Sequence, residues 1–310
     1  MTASDGTASD AMAGSQLYST VKIATDRVCS EALETLLFEC GALACSFTDA
    51  ADNPILEPLP GETPLWQELI LTATFERTAD VSLVAALAVN RFDSISPADV
   101  QVAELADQAW ERVWMDSFQP IKISQTLWVV PSFCQPPDAD AGNLIIDPGL
   151  AFGSGTHPTT LLCLRWLAAA DLRGKTVIDY GCGSGILAVA AAMLGAARVE
   201  AFDIDPQALS ATADNAAANR VDTLVNIVES HQQLSSGCDV LVANILLRPL
   251  LDLRTAFSGL VVAGGTIGLS GLLAEQLPEI ERAYPGSFRS AGTAIEEEWA
   301  LWSGVKPFAC

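Results

Sequence analysis

Three glycines at alternating positions, Gly181, Gly183 and Gly185, follow the apolar start of VIDYGCGSG (177–185). Without side chains they allow a tight strand-to-helix turn, and a ligand can lie directly on the backbone. Asp203, in AFDIDP (201–206), falls where a second strand should end. Its carboxylate can accept hydrogen bonds from both hydroxyls of a ribose. Asp205 reads instead as the cap of a helix opening at Pro206. Asn244, in VANILLRPL (242–250), falls at the end of a further strand. An amide there can direct its carbonyl at a reacting amine; making a turn is the structural alternative. The set points to an adenosyl-type ligand. A dinucleotide fingerprint would carry its third glycine at 186, where Ile186 stands, so a nicotinamide cofactor is disfavoured. Taken alone, the glycine loop is compatible with a turn and nothing more.

These residues need strands and helices to hold them. From residue 171 onward the chain alternates strand and helix patterns. Strands are predicted at 176–180, 199–203, 225–229, 239–244 and 266–270, and helices at 186–194, 206–219, 247–257 and 273–284. A closing pair of strands is predicted at 288–294 and 299–303. Such alternation gives a mostly parallel sheet with helices on both faces, whose ligands bind beyond the carboxyl ends of the strands.

Upstream, 18–23, 42–48, 68–75 and 100–105 read as strands, with helices at 30–39 and 81–89. Gly41 should stop the first helix. The order βαββαβ predicts a small α+β ferredoxin-like unit. It holds no evident catalytic cluster, so docking is its natural role. Residues 53–64 form a proline-rich loop. Residues 107–118 (DQAWERVWMDSF) read as a linking helix, Trp110 and Trp114 packing on one face. Strand material follows at 121–130. The predicted domains are a disordered tail (1–15), a substrate-recognition domain (16–106), a linker helix (107–120) and a catalytic domain (121–310).

With 16 basic and 38 acidic side chains the formal charge is −22. Nucleic acid is therefore disfavoured as a direct partner, because phosphate neutralisation needs clustered Lys and Arg. A basic protein partner suits the field; a merely solubilising acidic surface is the alternative. The eight cysteines include no CxxC pair, and with two histidines a zinc site is not expected. Free thiols, no bound metal, no membrane span and a cytoplasmic location follow. A monomer is favoured.

VIDYGCGSG, AFDIDP and VANILLRPL resemble the successive motifs of class I S-adenosylmethionine methyltransferases. DPGLAFGSGTHPTT (147–160) resembles the signature of one branch, the bacterial methyltransferases of large-subunit ribosomal protein eleven. LPGETPLW (59–66), WERVWMDSF (110–118) and GLSGLL (268–273) support the likeness, which covers about residues 16–305. It implies a Rossmann-like catalytic sheet preceded by a ferredoxin-like domain that grips the ribosomal protein. It implies S-adenosyl-L-methionine as cofactor, and methylation of lysine side chains and the terminal amine of that protein. Methylation of another protein or amine is the alternative. Carried over by motif, the cofactor contacts are Thr160, Gly181, Asp203 and Asn244, with Gly183 lining the same loop. Phe152, Thr156 and His157 shape the site. Ser154 stands where the family pattern expects threonine.

The chemistry implied is displacement of a methyl group by a neutral amine. Lysine has a pKa of about 10.4 in water, and an apolar site beside a sulfonium lowers it. Water can then take the proton, and catalysis rests on alignment and desolvation. Asn244 is the candidate for aiming the amine lone pair. His157 is the candidate proton acceptor; a structural role beside Pro158 is its alternative.

Overall fold

The computed structural model describes residues 18–51, 65–105, 118–147 and 155–308. The predicted tail, the proline-rich loop, most of the linker helix, and Phe152 and Ser154 lie outside them. The chain divides into two compact units, 1–114 and 115–310.

In the first unit, strands β1 (Tyr18–Asp26), β2 (Ala44–Asp49), β3 (Glu68–Glu76) and β4 (Val100–Leu105) form an antiparallel sheet of order β2-β3-β1-β4. Helices α1 (Ser30–Glu39) and α2 (Val81–Arg91) complete the expected ferredoxin-like βαββαβ arrangement. The pattern that builds it is simple. Leu69, Leu71, Ala73 and Phe75 alternate along β3 and are buried against Leu33, Leu36 and Leu37, which line one stripe of α1. Each such leucine or phenylalanine contributes about 1.5–3 kcal/mol of burial. The left-handed φ of +92° at Gly41 ends α1, and Ala42 N–H donates back to the Leu37 carbonyl.

The second unit opens with a three-stranded sheet, β5 (Ile121–Lys122), β6 (Leu127–Val130) and β7 (Gly142–Ile145). A turn splits the strand expected at 121–130. Helix α3 (Pro158–Ala169) comes next; no helix was predicted there. The main sheet then follows: β8 (Thr176–Tyr180), α4 (Ile186–Met193), β9 (Arg198–Phe202), α5 (Pro206–Ala218), β10 (Val225–Val228), β11 (Cys238–Asn244), α6 (Leu247–Asp252), α7 (Arg254–Leu260), β12 (Val261–Leu273), α8 (Leu277–Ala283), β13 (Arg289–Glu296) and β14 (Trp299–Val305). The single helix expected at 247–257 is two, because Leu253 ends one and begins the next.

The sheet order is β10-β9-β8-β11-β12-β14-β13. The strands run parallel from β10 to β12, and β14 is antiparallel to both its neighbours. Val177 and Ile178, successive residues of β8, enter two different cores, so that strand is buried on both faces. Helix α4 (ILAVAAAM) is buried from Ile186 to Ala192; its small side chains let it pack closely on β8 and β9. Among the described residues no helix is long and apolar enough to cross a membrane, and no group of His, Cys, Asp and Glu could hold a metal ion. The seven described cysteines are free thiols.

Candidate active site

The chain runs from β8 outward through β9 to β10, then returns to place β11 on the other side of β8. In sheets with such a reversal ligands bind beyond the carboxyl ends of the strands beside it, here β9, β8 and β11. Gly181 follows β8, Asp203 follows β9 and Asn244 ends β11, so the structure brings these three predicted residues to one edge.

The loop after β8 is held from both sides. Gly181 N–H and Cys182 N–H both donate to the Phe202 carbonyl. Gly183 N–H donates to Asp203 Oδ2 at 2.9 Å, and Asp205 N–H to Asp203 Oδ1 at 3.0 Å. Asp203 thus ties the glycine loop to the end of β9. As its position predicts, Asp205 caps α5 by accepting from Gln207 N–H. Two glycines are required by their surroundings. A Cβ on Gly181, at φ +80°, would collide with Cγ2 of Ile245. One on Gly185, at φ +78°, would sit 2.6 Å from Cγ2 of the buried Thr212. Thr212 also donates its hydroxyl to the Gly183 carbonyl.

The N-terminus of α3 lies against the end of β11. Asn244 Nδ2 donates to Thr160 Oγ1 at 3.4 Å, and Thr160 is only 2% exposed. His157 is the N-cap of α3: its Nδ1 accepts from Thr159 N–H and lies 2.7 Å from Thr159 Oγ1. The ring packs edge-on against Trp299, centroids 4.8 Å apart. Burial holds its pKa below the ordinary range, against the opposing pull of Glu298 and Glu297. With Nδ1 accepting the cap bond, the neutral ring carries its proton on Nε2. The structure therefore gives His157 a definite structural function at the head of α3.

Two further residues stand at this end of the sheet. Ile204, beside Asp203, is 91% exposed, an apolar side chain left in solvent at this end of the sheet. Asp179 is fully buried at the end of β8. Its Oδ2 accepts from Ala188 N–H at 2.9 Å, and its Oδ1 has no hydrogen-bond partner among the described residues. Its place before the glycines was visible in sequence; its unpartnered oxygen was not.

A seven-stranded sheet of this order, with a glycine cradle, a carboxylate and an amide at adjoining carboxyl ends, defines a class I methyltransferase, the class whose methyl donor is S-adenosylmethionine. The residues present fit that group: a bare-backbone cradle that a Cβ would fill, an acidic acceptor for hydroxyls, and an orphaned buried carboxyl oxygen. The family model "Ribosomal protein L11 methyltransferase (PrmA)" matches residues 17–307, and the chain belongs to that family. It is 48% identical to the ribosomal protein L11 methyltransferase of Pseudomonas paraeruginosa over 92% of this chain and 97% of that one. It is 45% identical to that of Escherichia coli strain SMS-3-5 over 92% and 98%. A crystal structure of a ribosomal protein L11 methylase from Lactobacillus delbrueckii subsp. bulgaricus is 34% identical, with a TM-score of 0.57, covering 62% of this chain and all of that one.

Proposed function

We propose that this protein methylates lysine side chains and the terminal amine of ribosomal protein L11 in the cytoplasm, with residues 16–106 gripping the substrate and 121–310 carrying the chemistry. The observation that carries the reading is the meeting of Gly181–Gly185, Asp203 and Asn244 at one edge of the sheet, within a chain of this family. S-adenosylmethionine, when bound, supplies an electrophilic methyl group on a sulfonium. The protein's own residues supply position. Asp203, already oriented by two backbone N–H groups, accepts from the ribose hydroxyls. Gly181 and Gly183 would let the ligand lie on the backbone, and the exposed Ile204 side chain would offer it an apolar contact. Thr160 fixes the Asn244 amide through Nδ2, which leaves Oδ1 to accept from the acceptor amine and aim its lone pair. Water takes the proton released, and His157 shapes the head of α3. The chain acts as a monomer with no direct nucleic-acid contact, and its acidic field favours a basic protein. Cross-linking the full chain to purified L11 tests the division of labour. Cross-links should map within 16–106, and a pattern confined to 121–310 would contradict it.

A further inference from the structure

Asp179 is charged chemistry placed where no charge is compensated. It is 0% exposed, and one oxygen is held only by the Ala188 amide while the other has no partner among the described residues. The titratable groups facing it are Asp203 from the end of β9, Cys163 from α3 and Cys182 from the glycine loop; none is cationic. A buried carboxylate without a counter-charge is costly, so the neutral acid is favoured. Burial, reinforced by Asp203 and opposed by the Ala188 N–H, pushes the carboxyl up to about 7. The glycine cradle begins at Gly181, two residues after Asp179, so a cation held on that loop would lie within reach of this carboxyl's field.

We propose that Asp179 is a proton-linked part of the cofactor site: it is protonated in the unliganded protein and releases that proton to solvent when the cationic S-adenosylmethionine binds. The carboxyl O–H bond breaks, the proton passes to a buffer base, and the carboxylate faces the ligand's positive charge. Donor affinity is then coupled to pH. It strengthens as pH rises toward 7, by at most about tenfold per unit, and levels off above. This rests on S-adenosylmethionine being the donor.

Calorimetry of S-adenosylmethionine binding near pH 7, in buffers of differing ionisation enthalpy, counts the protons released. About half a proton per site is expected for a group half-ionised at that pH. In Asp179→Asn the release should vanish and affinity should lose its pH dependence. In the wild-type protein carrying 13C-labelled aspartate, one carboxyl should titrate near neutrality and become ionised on loading, a reading that needs no variant. Binding without proton release, release unchanged in Asp179→Asn, or no aspartate titrating above pH 6 would each overturn the proposal. Failure of S-adenosylmethionine to bind at all would instead overturn the donor reading beneath it.

Discussion

The amide of Asn244 and the hydroxyl of Thr160 meet at 3.4 Å, joining the end of β11 to the first turn of α3. One residue is thereby oriented by the other. Asn244→Ala should lower kcat by about 10²–10³, the usual cost of losing one preorganised polar contact to a reacting group, while the donor Kd changes by less than about tenfold. Thr160→Val, which frees the amide to rotate, should lower kcat by roughly tenfold. Single-turnover methyl transfer and calorimetry separate the two effects. A collapse of donor binding with kcat intact would make Asn244 a cofactor contact alone.

Asp203 serves both the ligand and the loop. Asp203→Ala removes the predicted ribose acceptor and strands Gly183 N–H, so donor affinity should fall by roughly 10²–10³, with the fold retained by circular dichroism. Unchanged affinity would remove Asp203 from the site.

Gly181→Ala should destabilise the protein by about 2–4 kcal/mol, combining the left-handed φ with the collision at Ile245. Adding Ile245→Ala should recover the steric part and leave the backbone part, about 1–2 kcal/mol. Thermal unfolding of the four proteins of this cycle checks it; strict additivity would mean that the two residues do not collide.

For His157 the cap and the base make opposite predictions. His157→Asn keeps a good N-cap and should retain activity within a few-fold, whereas His157→Ala should cost about 1 kcal/mol of stability. A loss beyond about 10² in kcat for the Asn variant would identify the ring as proton acceptor. The folded ring binds its proton less readily than the unfolded one. Its contribution to stability is therefore present above the ordinary value of 6.5 and lost as pH falls below it.

Asp179 has the opposite sign. Its folded pKa is raised from 3.8 to about 7, so the folded state holds a proton that the unfolded chain gives up, and stability falls as pH rises through that window. Urea unfolding between about pH 4 and pH 7 should show wild type losing about 1.4 kcal/mol per pH unit more than Asp179→Asn. Parallel profiles would mean that the carboxyl is ionised throughout.

Much of this site was readable because its residues stand where strands end. VID, AFD and VAN are short apolar runs with a polar residue last, and the parallel sheet brings such ends together. Helix α3 was not readable in the same way. It has apolar residues on every side, Leu161, Leu162, Leu164, Trp166 and Leu167 among them, so no polar face marked it as a helix. Strand β7 begins Gly142-Asn143 and is four residues long, too short for any period to register. The capping bond of His157 and the unpartnered oxygen of Asp179 depend on tertiary neighbours, and no spacing encodes them.

Everything above converges on methyl transfer to one ribosomal protein. Incubating the full-length protein with methyl-labelled S-adenosylmethionine and the separated large-subunit ribosomal proteins, then locating the label by mass spectrometry, tests it directly. Label is expected on amines of L11 and on no other protein of the set, whereas an unlabelled L11 would rule out this substrate.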